Sequence, residues 1–93
     1  MILMKAVRMN VSGRVQGVGF RYTTKLLADR LKVVGWVKNN IDGTVDIEAQ
    51  AEDSVLNQFI DGVKASPSPS GRVNKLTIKS IPIFNTQHFI VKY

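Results

Sequence analysis

Between Ser12 and Gly19 the chain changes its hydrophobic period, and the glycines Gly13, Gly17 and Gly19 mark the change. Upstream, Lys5 to Val11 alternates, with Val7, Met9 and Val11 on one face and Ala6, Arg8 and Asn10 on the other. Alternation of this kind predicts a strand with one buried face. Downstream, from about Arg21, the spacing becomes helical: Thr23, Leu27, Leu31 and Val34 follow one stripe, and Gly35 is the expected C-terminal stop. A chain of 93 residues has room for a single domain over 1–93 and little for a second. Its hydrophobic fraction of 44% suits one small packed core.

The remaining elements follow from the same two periods. Trp36 to Asn40 reads as a second strand, and Asp42-Gly43 is a hairpin signal. Val45, Ile47, Ala49 and Ala51 then alternate with Asp46, Glu48 and Gln50 in a third strand. Glu52 and Asp53 suit a helix N-terminus, where negative charge meets the positive end of the dipole. Val55, Leu56, Phe59, Ile60 and Val63 form the stripe of this second helix, which Gly62 weakens. Ser66 to Gly71, with Pro67 and Pro69, cannot continue the helix, because proline lacks the amide donor, and is expected to be a surface loop. Arg72 to Ile81 and Gln87 to Tyr93 read as two more strands, with Pro82 between them. The order βαββαβ plus a C-terminal strand predicts an α/β (α+β) fold, a ferredoxin-like sandwich. Its sheet is expected to be mostly antiparallel, with two helices on one face. That architecture hosts many functions, so function has to be read from a site.

Composition removes several classes of chemistry. With no cysteine, disulfides, thiolate zinc sites and a cysteine nucleophile are excluded. No segment is long and apolar enough for a membrane span, and the apolar start Met1-Ile2-Leu3-Met4 is too short for a secretory signal. Cytoplasmic location is the resulting expectation, with Asn10-Val11-Ser12 a chance glycosylation sequon. Thirteen Lys and Arg against seven Asp and Glu give a net charge of +6, which favours an anionic partner, nucleic acid or a phosphorylated small molecule, but equally suits an ordinary solvated surface. Acidic residues form no metal-ligand cluster, so neither metal nor cofactor is expected. His88 lies in an expected strand away from the glycine segment and reads as an ordinary surface or edge histidine.

The segment Gly13-Arg14-Val15-Gln16-Gly17-Val18-Gly19-Phe20-Arg21 joins strand to helix. Successive amides in a glycine-rich turn form an anion-binding concavity. The helix N-terminus adds about half an elementary positive charge. Arg21, in the first turn, could bring a guanidinium whose planar fork matches two phosphate oxygens. Neither known glycine code fits: Tyr22 stands where the dinucleotide fingerprint needs its third glycine, and there is no Gly-Lys-Ser/Thr ending. On local physics alone a phosphate cradle and a tight turn that only lets the chain bend are equally good readings.

Gly13 to Arg21 resembles the signature of the acylphosphatase family, as does a second block, Gly35-Trp36-Val37-Lys38-Asn39 with Asp42-Gly43-Thr44-Val45. The separation of the blocks, the Ser66-Pro67 loop and the closing Phe89-x-Val91-x-Tyr93 also fit, so the resemblance runs from about residue 5 to the end. It implies metal-independent hydrolysis of the carboxyl–phosphate bond of a small acyl phosphate, with inorganic phosphate as product. It further implies that Arg21 holds the phosphoryl group together with the backbone amides of Val15, Gln16, Gly17, Val18, Gly19 and Phe20, and that Asn39 positions the attacking water. Without the resemblance, Asn39 would read as an ordinary strand residue; Trp36, Phe20 and Tyr22 are expected to serve core or rim packing. A monomer with neither nucleic-acid nor membrane partner is expected. Among the rivals, an RNA-binding sheet lacks its expected Arg/Lys-Gly-aromatic-Gly-aromatic pattern. An idle regulatory domain is disfavoured by the presence of both Arg21 and Asn39. The related N-terminal domain of hydrogenase-maturation proteins would be followed by cysteine motifs that this sequence does not contain.

Overall fold

A computed structural model describes residues 3–93. The elements run β1 (Met4–Arg14), α1 (Phe20–Leu31), β2 (Val34–Asn39), β3 (Val45–Glu52), α2 (Asp53–Lys64), β4 (Arg72–Ile81) and β5 (Phe89–Lys92). The five strands form one sheet in the order β4-β1-β3-β2-β5. The pairs β1–β3, β1–β4 and β2–β3 are antiparallel, whereas β5 lies parallel to β2. Both helices cover one face, α1 over β2 and β5 and α2 over β3, β1 and β4. The expected sandwich is therefore the observed one.

Alternation sets the faces. Val7, Met9 and Val11 of β1 and Val45, Ile47, Ala49 and Ala51 of β3 are buried, and they meet Leu56, Phe59, Ile60 and Val63 of α2. Phe59 packs edge-to-face on Phe89, with ring centroids 5.8 Å apart, which fastens the short β5 to the core. On the other face, Arg8 spans Asp46 and Glu48 with contacts of 3.1 and 2.7 Å. Trp36 is half-buried there, between the Arg8 guanidinium at 5.4 Å and the Lys92 ammonium at 4.4 Å from its ring, so it packs on the open face of the sheet and not in the core or at the rim of a pocket, the places expected for it.

Three expectations need correction. β1 continues past Val11 to Arg14, with a register shift between Ser12 and Gly13, so the connecting loop is shorter than Ser12–Gly19. The stripe of α1 is centred on Phe20, Thr24 and Ala28, with Leu27 and Leu31 flanking it, not on Thr23, Leu27, Leu31 and Val34. The small side chains of Thr24 and Ala28 let the helix lie close on the sheet, and larger neighbours fill its flanks. The helix also stops earlier, at Lys32 in the left-handed region (φ 62°), where Val33 N–H donates to the Ala28 carbonyl at 2.8 Å and closes the last turn. Val34 and Gly35 thus belong to β2.

Gly35 has a different task from the expected one. Its φ is 143°, and a Cβ there would stand 1.9 Å from the Glu48 carbonyl oxygen of the paired strand. Gly62 likewise does more than weaken α2, since a Cβ on it would meet Leu27 Cδ2 at 2.6 Å, at the contact between the helices. Two substitutions with opposite signs test this backbone account. Gly35→Ala is expected to destabilise the fold by about 3 kcal/mol, through strain and clash together. Lys32→Gly is expected to stabilise it by about 1 kcal/mol by removing the left-handed penalty on a residue with Cβ. Thermal unfolding of both variants checks the pair, and equal shifts in one direction would contradict it.

Candidate functional site

At the end of the sheet where β1 leads into α1, a pocket of about 220 Å³ is lined by Val15, Gly17, Gly19, Phe20, Arg21, Tyr22, Asn39, Val91 and Tyr93. A larger cleft of about 370 Å³ lies elsewhere, bordered by Lys25, Lys32 and His88, but Lys25 is already tied to Asp29 at 2.7 Å. The smaller pocket is where the glycine loop, the first turn of α1 and the end of β2 converge.

The loop's shape follows from its glycines. Gly17 and Gly19 sit at φ 73° and 76°, left-handed conformations that L side chains rarely adopt. Gly19 is the N-cap of α1 and contributes no side chain to the first-turn amides. Among the described residues, the amides of Gln16 to Gly19 donate to no protein acceptor. The first turn of α1 also lacks an acidic residue, whereas that of α2 has Asp53. Unpaired amides and an uncompensated helix end make this the more anion-receptive of the two helix starts.

Arg21 leaves this turn toward the C-terminal strand. Its Nη1 donates to the Lys92 carbonyl at 3.0 Å, and its guanidinium lies 4.8 Å from the centroid of the Tyr93 ring. Among the described residues it has no carboxylate partner. Its charge is oriented but not neutralised. Asn39 ends β2 opposite Val45, two residues beyond Val37 and so on the helix-covered face. Its Oδ1 is buried and has no hydrogen-bond partner among the described residues. A buried acceptor left unpaired costs about 1–3 kcal/mol, and the described residues supply no donor that offsets it.

The pocket therefore brings together Val15, Gly17, Gly19, Phe20, Arg21 and Asn39. The side chains of Gln16 and Val18 turn away from it. The Val18 carbonyl accepts a hydrogen bond from the buried Ser68 hydroxyl, so the proline loop between α2 and β4 braces the glycine loop from behind. Gln16 Nε2 donates to the Asn40 carbonyl at 2.8 Å and to the Thr44 carbonyl at 2.9 Å. It fastens the glycine loop to the β2–β3 turn, next to Asn39.

That turn is itself tightly bonded. Thr44 Oγ1 donates to Asp42 Oδ1 at 2.6 Å and accepts from Asn10 and Asn40 at 3.1 and 3.0 Å. The Thr44 hydroxyl and amide together hold the fully exposed Asp42 carboxyl below its ordinary value of 3.8. Asp42 thus favours the turn above its unfolded-state value, and the contribution is lost as pH falls through the lowered folded value. His88 lies outside the pocket and borders the larger cleft.

The role of the Gln16 carboxamide was not legible in the sequence, because no periodicity reports a side chain that binds two carbonyls of a distant turn. Gln16→Ala is expected to lower the stability by about 1–2 kcal/mol. It is also expected to weaken competitive inhibition by inorganic phosphate several-fold, because the loop loses its tether. Thermal unfolding and phosphate inhibition measured together check this. A variant with a normal inhibition constant would show that the tether does not shape the loop.

Comparison with known proteins places the architecture and pocket in one context. The acylphosphatase family model matches residues 7–91. An acylphosphatase of Pediococcus pentosaceus is 83% identical over 97% of this chain and 100% of its own length. One from Latilactobacillus sakei is 60% identical over 80% of each chain. The crystal structure of acylphosphatase from Bacillus subtilis superposes with a TM-score of 0.89 at 38% identity, covering 98% of this chain and all of the other. With the family model spanning both the glycine loop and the Asn39 turn, and relatives matched over 80–100% of their own length, the chain belongs to the acylphosphatase family, enzymes that hydrolyse the carboxyl–phosphate bond of acyl phosphates.

Proposed function

We propose that the glycine loop and Arg21 hold the phosphoryl group of the acyl phosphate while Asn39 positions the water that attacks phosphorus. The observation that carries this reading is that Asn39, whose buried Oδ1 has no hydrogen-bond partner among the described residues, lines the same pocket as Arg21, an arginine without an acidic partner among them. The amides of Val15, Gln16, Gly17, Val18, Gly19 and Phe20 supply the rest of the cradle, and the guanidinium takes two phosphoryl oxygens through its fork.

The chemistry asks little more of the protein. A carboxylic acid has a pKa of roughly 4, so a carboxylate leaves without being protonated. Phosphoryl transfer commonly passes through a loose transition state, so water needs little deprotonation early on. The oxygen of water bonds to phosphorus, the bond from phosphorus to the acyl oxygen breaks, and its electron pair leaves on the carboxylate. A proton from the water passes to solvent or to the phosphate formed. The oriented amides and Arg21 stabilise charge on the phosphoryl oxygens, and Asn39 holds the water in line.

Among the described residues no Asp, Glu or His side chain lines the pocket, and its one charged side chain is a guanidinium, which repels a divalent cation. The reading is therefore metal-independent. It treats residues 1–93 as a single acylphosphatase-like domain, acting as a monomer in the cytoplasm on a small molecule, without nucleic acid or membrane. The lack of cysteine suits a reducing compartment, and no described helix is long and apolar enough to cross a membrane.

Two variants separate the roles. Arg21→Lys keeps the charge but loses the fork, and is expected to weaken both phosphate inhibition and turnover. Asn39→Ala is expected to retain phosphate inhibition while turnover falls about 10²-fold, by analogy with loss of one oxyanion-hole donor. Activity is expected to persist in excess EDTA. Near-normal turnover in a folded Asn39→Ala protein would remove Asn39 from the mechanism, and equal loss of phosphate inhibition in both variants would refute the division of labour.

A further inference from the structure

Beyond the loop amides, the same pocket is walled largely by carbon. Val15 and Phe20 are buried, and Val91 packs against the core. Tyr22 and Tyr93 also line the pocket but take no part in the core, being 64% and 95% exposed. One face of Tyr93 is engaged by Arg21, 4.8 Å from the ring centroid. Tyr22 follows Arg21 in the first turn of α1 and, like Tyr93, lines the same pocket as Arg21.

We propose that Tyr22 and Tyr93, with Val91, form a subsite for the acyl portion of the substrate that favours an uncharged, apolar acyl group, above all an aromatic one. This deepens the reading above and rests on the phosphoryl group occupying the cradle. A planar aromatic acyl group covers ring surface that otherwise faces water. A carboxylate on the acyl portion gains nothing there, because among the described residues the only charged side chain lining the pocket is Arg21, which in this reading is taken by the phosphoryl group. The contact lies away from the bonds that change, so it holds substrate and transition state alike. It should therefore appear in KM and leave kcat largely unchanged.

The test compares benzoyl phosphate with acetyl phosphate on the whole purified chain, in the wild type, Tyr22→Ala, Tyr93→Ala and Tyr93→Phe. The intrinsic difference between the two leaving groups cancels when each variant's benzoyl-to-acetyl ratio of kcat/KM is divided by the wild-type ratio. In Tyr22→Ala that ratio is expected to fall roughly tenfold, the size of one lost aromatic contact, and to do so through KM for benzoyl phosphate. Inhibition by inorganic phosphate, which has no acyl group, should stay within about twofold of wild type in this variant. Tyr93→Ala should lower the ratio as well, and Tyr93→Phe should restore it. Unchanged ratios in both alanine variants, or a fall carried by kcat alone, would overturn the subsite. Hydrolysis of neither compound by the wild type would overturn the reaction itself as well as the subsite.

Discussion

A backbone amide without an acceptor forgoes the hydrogen bond that folding ordinarily supplies, and Gln16 to Gly19 present a run of such amides at the start of α1. Everything around this segment works to keep it open. The left-handed Gly17 and Gly19 turn the chain without a Cβ penalty. Ser68 bonds the Val18 carbonyl from behind, and Gln16 reaches forward to two carbonyls of the β2–β3 turn. The loop is thus held by its carbonyl and its one long side chain, which leaves its donors uncommitted.

The sheet order turns that local arrangement into a site. Because β2 and β5 run parallel at the end of the sheet, Asn39 and the Lys92–Tyr93 end arrive together beside Arg21. The Lys92 carbonyl and the Tyr93 ring orient the guanidinium without cancelling its charge, as a carboxylate would. Phe59 against Phe89 anchors β5, so a core contact in α2 has a direct bearing on where Arg21 points. Such preorganisation suits a reaction that needs charge stabilisation and an aligned water more than proton transfer.

The strands were legible because one face is buried: Val7, Met9 and Val11, and then Val45, Ile47, Ala49 and Ala51, recur at every second position, although Ala6 and Gln50 between them are buried too. The Asp42-Gly43 turn and the span of α2 were legible for similar reasons of local chemistry. The phase of α1 was not, because Thr24 and Ala28 are too small to stand out as core residues, while Leu26 is large and exposed. Its stop was missed because Lys32, and not a glycine, takes the left-handed position. In the site, the glycine loop and Arg21 were visible as a pattern of residue types, but Asn39 had no local signal and came from family resemblance alone. Gln16 and Ser68 were hidden because each bonds to a backbone carbonyl far away in sequence, a contact fixed only once the chain has folded.

The measurement that bears most directly on this account is a titration of the ¹⁵N-labelled chain with inorganic phosphate, followed by NMR. The expected result is saturable movement of the amide resonances of Gln16 to Phe20, together with the Arg21 side chain, at one common affinity. Movement confined to residues around the other cleft, such as Lys25, Lys32 and His88, with the glycine loop unmoved, would show that the open amides are not an anion cradle.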